Sequence, residues 1–257
     1  MKEKAMTKLV LVFAMLAMST IAFAQSGNTA RNRFGAPLKE SNFHLGLDLQ
    51  TKYIWRGMEM ITTDAAPVVF PAVNYQNKGF YAYVMGGYAL NGKYSEVDFG
   101  FSYTYRWITV GFNDYYYPTT TTPDDRYFNF RSEDTGHWLE AVVTIAPEKI
   151  PAYLTVSNFF AGADKDPDSN QAYSTYAELG GYYDFLNDHR LSLAAGMAFN
   201  KSCYNAYARG FSVCNIELKY TYNVNFDDTF SLPLSVAYIV NPVFNKTHVN
   251  FTASFAF

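Results

Sequence analysis

Cysteine, histidine and charge are all scarce in this chain of 257 residues, and each scarcity narrows what it does. Two cysteines, Cys203 and Cys214, provide neither a thiol cluster for structural zinc nor a disulfide-dense scaffold. The four histidines, His44, His137, His189 and His248, lie far apart, and no His, Cys and carboxylate group recurs at metal-ligand spacing. No metal or other cofactor is therefore expected. Charged residues make up 17% of the chain, below the roughly 25% of a soluble domain. A formal net charge of −3 offers no basic footprint for nucleic acid. Long apolar runs are missing too: after Ala24 no stretch approaches the roughly 20 residues of a membrane helix.

The first apolar run is of another kind. Lys2, Lys4 and Lys8 precede a segment of about 14 residues from Leu9 to Ala22, too short to span a bilayer. Ala22-Phe23-Ala24 before Gln25 is a small-x-small cleavage site. Residues 1–24 are expected to be a cleaved export signal. Residues 25–41, polar and irregular with Gly27, Gly35 and Pro37, read as a flexible periplasmic leader. Residues 42–257 remain as one large β domain.

What the chain has in abundance is aromatic side chains, 22 Tyr and 22 Phe, set in period-two alternation. Phe43, Leu45, Leu47, Leu49, Thr51, Tyr53 and Trp55 share one parity; His44, Gly46, Asp48, Gln50, Lys52 and Arg56 share the other. Alternate side chains of a strand take opposite faces. One face is therefore apolar and the other polar, over a length suited to a tilted membrane strand. The pattern returns at Glu96–Tyr105, Leu191–Asn200, Asn215–Tyr222, Leu232–Asn241 and His248–Phe257. Less regular strands fall near Pro67–Tyr75, Phe80–Leu90, Ile108–Tyr116, Trp138–Ile145, Tyr153–Ala161 and Tyr173–Asp184. The total is about twelve, an even number as in bacterial single-chain barrels.

The connections agree. Expected periplasmic turns at Gln76–Lys78, Tyr105–Trp107, Ala146–Pro151, Leu186–His189 and Asn223–Asp228 are short. Expected outer loops at Gly57–Ala65, Asn91–Lys93, Asp114–Gly136, Gly162–Gln171, Lys201–Ala208 and Pro242–Lys246 are mostly longer. The predicted fold is a single antiparallel transmembrane β-barrel of the outer membrane. Its partners would be outer-membrane lipid and, through a last strand ending in Phe257, the outer-membrane insertion machinery.

Lys52-Tyr53-Ile54-Trp55-Arg56-Gly57 is followed by a Pro-containing strand at Pro67–Asn74, then Lys78-Gly79-Phe80-Tyr81-Ala82, Glu96-Val97-Asp98, and Val110-Gly111-Phe112 leading to Tyr115-Tyr116-Tyr117-Pro118. This order, over residues 43–118, resembles the TorF-type porins. Tyr83-Val84-Met85 departs from the Gly- and Ser-rich third strand usual there. The resemblance implies a porin-like barrel and names no substrate.

Turning the polar parity inward lines the pore with Asp48, Glu96, Asp98, Glu140, Glu178 and Glu217, against Lys52, Arg56 and Lys219. Rings of carboxylates favour cations, while inward Tyr81, Tyr83, Tyr176 and Tyr182 crowd a small lumen. Arg56 reads either as a charge at a constriction or as half of a rim salt bridge. Tyr53 and Trp55 read as girdle residues facing lipid. The functional expectation is a non-enzymatic, porin-like channel for passive or weakly selective uptake of small polar solutes. Two alternatives stand beside it. One is a structural or adhesive barrel with an occluded lumen. The other is a lipid-modifying hydrolase built on one of the histidines with Ser254 or a lumen acid.

Asp114–Gly136, the longest loop, is expected to fold inward and narrow the pore or to extend as strands above the membrane; sugar or protein binding is the sharper reading. Asp164, Asp166 and Asp168 alternate as in a calcium loop but lack its Gly and distal Glu. Cys203 and Cys214 would both face outward by parity and could bridge, bracing the fifth outer loop by about 2–3 kcal/mol; two free thiols are the other possibility.

Overall fold

The computed structural model describes residues 42–118, 126–226 and 230–256. The expected export signal and leader, the tip of the longest loop and Phe257 lie outside the described residues. The barrel strands are β1 (Phe43–Gln50), β4 (Val68–Asn77), β5 (Phe80–Ala89), β6 (Ser95–Tyr105), β7 (Ile108–Tyr116), β8 (His137–Ile145), β9 (Ala152–Gly162), β10 (Thr175–Phe185), β11 (His189–Ala198), β12 (Ser212–Asn225), β13 (Ser231–Asn241) and β14 (Lys246–Ala256). Each pairs antiparallel with its sequence neighbour, and β1 closes the ring on β14. Two further strands, β2 (Ile54–Trp55) and β3 (Met58–Glu59), form a hairpin of their own. A 3-10 turn occupies Cys203–Asn205.

Alternation builds this wall as expected. Val110, Leu193 and Phe251 are 57%, 59% and 55% exposed, and Leu45, Val73, Leu179, Leu218 and Tyr238 share their outward parity. No water-soluble fold leaves so continuous an apolar surface bare. A closed sheet, which has no free edge, is one of two ways a backbone can cross lipid. Aromatics gather at the short-turn end: Tyr75 against both Phe43 and Phe80, Tyr183 against Phe185, and exposed Tyr105 and Trp107. The protein is an outer-membrane β-barrel, and lipid is its outer partner.

Connections at that end are tight. Lys78 and Arg106 take left-handed backbone angles, φ 54° and 56°, in the turns after β4 and β6. The opposite end carries the long connections, 51–67, 117–136, 163–174 and 199–211. Long loops face outward in such barrels.

The first strand departs from expectation. It stops at Gln50 instead of running to Arg56. Asn250 on β14 ends it: its Oδ1 accepts from Thr51 Oγ1 at 3.0 Å and from the Lys52 amide at 2.9 Å. Thr51 Oγ1 in turn accepts from the Phe251 amide at 3.0 Å. After one more backbone rung, from the Thr51 amide to the Phe251 carbonyl at 3.0 Å, side chains take over and the chain turns into the barrel. Tyr53 and Trp55 are consequently 8% and 5% exposed and are not girdle residues.

Candidate functional site in the lumen

The segment after β1 crosses the lumen as the β2–β3 hairpin. Arg56 and Gly57 form its two-residue turn, with φ 49° and 80°. Positive φ at both positions is the turn that matches strand twist in a tight hairpin. Gly57 meets a second demand. A Cβ there would lie 2.3 Å from the Cys214 carbonyl oxygen on β12. Only glycine allows the turn to press against the wall so closely.

The hairpin tip is anchored by charge. Arg56 Nη1 donates to Glu140 Oε1 on β8 at 2.5 Å and also to the Tyr204 hydroxyl. Glu140 Oε2 accepts from Asn113 Nδ2 at 3.1 Å and from the Tyr115 hydroxyl at 2.9 Å. The guanidinium lies 4.5 Å from the Trp55 ring centroid and 4.7 Å from that of Tyr176. Arg56 is 1% exposed and Glu140 is fully buried. A buried arginine needs such a set of partners, because an uncompensated charge away from water is very costly.

The other hairpin residues reach the remaining walls. The Tyr53 hydroxyl donates to Glu96 on β6 at 3.2 Å, and its ring packs on Phe70 of β4. Trp55 packs on Tyr115 of β7 and Phe159 of β9. Ile54 joins Ala237 and Ile239 of β13. Asn241 Nδ2 donates to the Gly57 carbonyl at 3.0 Å. Lys52 and Glu59 pair at 3.5 Å, and Glu59 lies 3.9 Å from His248 of β14. Tyr204, in the loop after β11, closes over Arg56 and is fully buried. These aromatics form one cluster with Tyr94, Tyr117 and Tyr176. Phe159, Tyr176, Glu96 and Glu140 are at most 1% exposed, so the hairpin packs tightly against this side of the wall. The hairpin fills the lumen at the long-loop end.

Towards the short-turn end the wall turns hydroxylic. Thr104 bonds Thr109 and Thr144 bonds Thr155, each at 2.9 Å. Ser102, Ser157, Ser192 and Thr221 face inward beside them. Arg190 grips Asp184 through two bonds and lies over the Tyr182 ring at 3.9 Å.

Seven of the nine predicted pore-lining residues stand on the wall. Asp48, Glu96, Asp98, Glu140, Glu178, Glu217 and Lys219 are on inward positions of strands, whereas Lys52 and Arg56 ride on the hairpin. Glu178 accepts from the hydroxyls of Tyr153 and Tyr176 at 2.7 and 2.5 Å. Lys219 pairs with Glu217 at 2.8 Å. The expected crowding by Tyr81 and Tyr83 is present, with the Tyr83 hydroxyl on Asn113 at 3.1 Å. The residues not anticipated are Glu59, Tyr94, Asn113, Tyr204, Asn241 and Asn250. None breaks the alternation, and only a partner brought from a distant loop marks them.

No family model and no curated protein sequence matches this chain. Among solved structures, KdgM porin superposes with a TM-score of 0.47 at 8% identity, covering 83% of this chain and 98% of that one. KdgM porin in complex with disordered oligogalacturonate gives 0.48 at 9% identity, over 84% and 97%. Salmonella typhi OmpF in complex with daunomycin gives 0.42 at 10% identity, over 84% and 96%. Likeness at this level carries no argument about function; the closed sheet and its apolar belt define the fold by themselves.

The other sequence candidates resolve into structural roles. His137 Nδ1 faces both oxygens of Asp114 at 2.8 and 2.9 Å, and Nε2 faces the Tyr127 carbonyl. No ring nitrogen is left to activate a nucleophile. His189 Nδ1 bonds the Tyr220 hydroxyl at 2.6 Å. Among the described residues no hydrogen bond joins a histidine to a serine. Phe130 stacks on His137, and Tyr127 packs on Tyr116. Tyr116 and His137 have outward parity, so this part of the longest loop covers the outside of the barrel and does not narrow the pore. Its Thr119–Thr122 and Asp124-Asp125 lie outside the described residues.

Asp164 is spent on its own loop. It accepts from the Ser174 amide at 2.7 Å and the Ser174 hydroxyl at 2.6 Å, while burial raises its pKa. Asp166 Oδ1 accepts from the amides of Asp168 and Asn170. The alternating acids are loop supports, not a calcium loop. Cys203 and Cys214 are free thiols, which corrects the expected bridge. A bulge between Gly196 and Met197 is the reason. It sets Cys214 and Asn215 on the same inward face, both buried, while Cys203 lies on the 3-10 turn.

Proposed function

We propose that the protein is a porin-like channel of the TorF type for small polar solutes, and that the β2–β3 hairpin is its closure. The observation that carries this reading is a wall of hydroxyls, amides and charged groups below an apolar-packed, self-supplied plug. A barrel serving only as a scaffold has no need of a polar inner wall continuing past its plug. Burying Tyr53, Ile54 and Trp55 is worth about 1.5–3 kcal/mol each, so the hairpin is docked in nearly every molecule at rest. Conduction then belongs to a minor state in which it leaves.

The lumen charge sets the preference. Arg56 offsets Glu140, Lys219 offsets Glu217, and Arg190 offsets Asp184. Glu96, Asp98 and Glu178 have no basic partner among the described residues, and an excess of wall carboxylates favours cations. The same reading includes docking of the last strand to the insertion machinery and catalysis of no reaction. Glu140→Gln protein in planar bilayers under a KCl gradient tests it: a reversal potential on the cation side supports the reading, and an anion-side potential, or liposomes impermeable to small sugars and amino acids, sinks it.

A structural or adhesive barrel is the second reading. The burial of the hairpin around Arg56 favours it, and the same liposomes distinguish the two.

A further inference from the structure

Glu96 and Asp98 are successive inward residues of β6, about 7 Å apart along the strand by the rise of an extended chain. Both are buried, at 0% and 1% exposure. Glu96 Oε2 accepts from the Tyr94 hydroxyl at 2.7 Å and from the Tyr53 hydroxyl at 3.2 Å. Glu96 Oε1 and both oxygens of Asp98 have no hydrogen-bond partner among the described residues. Room for the Glu96 carboxylate comes from Gly87 on β5, where a Cβ would lie 2.6 Å from Oε1.

Among the described residues no base pairs with these acids. The Arg56 guanidinium faces Glu140, that of Arg190 faces Asp184, and the ammonium groups of Lys52 and Lys219 face Glu59 and Glu217. Burial of two ionised carboxylates without a counter-charge is unfavourable, so such groups in proteins take up a proton, are paired or coordinate a metal. The Arg56–Glu140 pair is neutral, which leaves Glu96 and Asp98 with two negative charges when ionised. The bare atoms are hard oxygen donors. The rings of Tyr53 and Tyr94 lie 5.7 Å apart and those of Tyr94 and Tyr117 6.3 Å apart on the Glu96 side. Hard oxygen donors and a double negative charge when ionised suit a divalent cation of the calcium and magnesium class.

We propose that Glu96 and Asp98 form a binding site for one such divalent cation on the inner wall. Among the described residues no third His, Cys, Asp or Glu completes the set. Two carboxylates and water, with phenol oxygens nearby, supply the ligands, as two carboxylates commonly do for magnesium. The inference does not require the channel to conduct. Through the Tyr53–Glu96 bond the cation also braces the hairpin from its β6 side.

The test is calcium titration of the full barrel in detergent by calorimetry, with terbium as an optical probe excited through the neighbouring tyrosines. The wild type takes up one calcium, and calcium displaces the terbium emission. Asp98→Asn and Glu96→Gln, each verified as folded by its heat-dependent shift on gel electrophoresis, lower calcium affinity at least tenfold and remove that emission. If one variant fails to fold, the other decides. A wild-type protein that takes up no calcium or magnesium overturns the proposal. So does uptake unchanged in either folded variant, since surface carboxylates then hold the ion.

Discussion

Arg56 is the residue on which the lumen turns. Its backbone sits in the left-handed region, its charge meets Glu140, and rings cover its guanidinium. Removing one partner of a buried pair leaves the other charge uncompensated, typically at a cost of about 3–5 kcal/mol. Glu140→Ala should therefore destabilise the barrel by that order in urea unfolding, and Arg56→Ala similarly. The double variant should cost clearly less than the sum. Additive losses would mean the two side chains do not act as a pair. Lysine at 56 should rescue little, because a point charge cannot reproduce the planar stacking between Trp55 and Tyr176. The residues of this site were legible in part. Arg56 and Glu140 both read as inward charges, but nothing in the sequence joins residues so far apart.

Between elements, the departures come from places where backbone pairing stops and periodicity does not. Thr51, Tyr53 and Trp55 continue the apolar parity of β1 without a break. The same alternation that describes a strand facing lipid also describes a hairpin packed inside. Asn250, far along the chain, decides between them by capping the ladder. The bulge at Gly196 and Met197 is equally silent: one extra residue reverses the face of Cys214 and cancels the parity argument for a bridge. Two thiols should consequently be counted in denatured protein without reductant. In the folded barrel both should label slowly, since Cys214 is fully buried and burial pushes the Cys203 thiol pKa up. Equal labelling rates in folded and denatured protein would contradict this packing.

For the molecule as a whole, the sequence reading was strongest. Strand number, the polarity of the two faces and the asymmetry of short turns and long loops all follow from local pattern, because a barrel repeats one rule around its circumference. The filling of the barrel follows no such rule. The longest loop is the natural candidate for a constriction, yet Tyr127 and Phe130 of that loop pack on the outward-facing Tyr116 and His137. A shorter loop supplies the plug, since it leaves β1 where Asn250 turns it inward. The central claim is that this hairpin closes the lumen. Its most direct test is single-channel conductance of the wild type beside a variant with residues 53–60 replaced by a Gly-Ser linker. The wild type should be nearly silent and the folded variant should show stable open steps; a folded variant as silent as the wild type would contradict the claim.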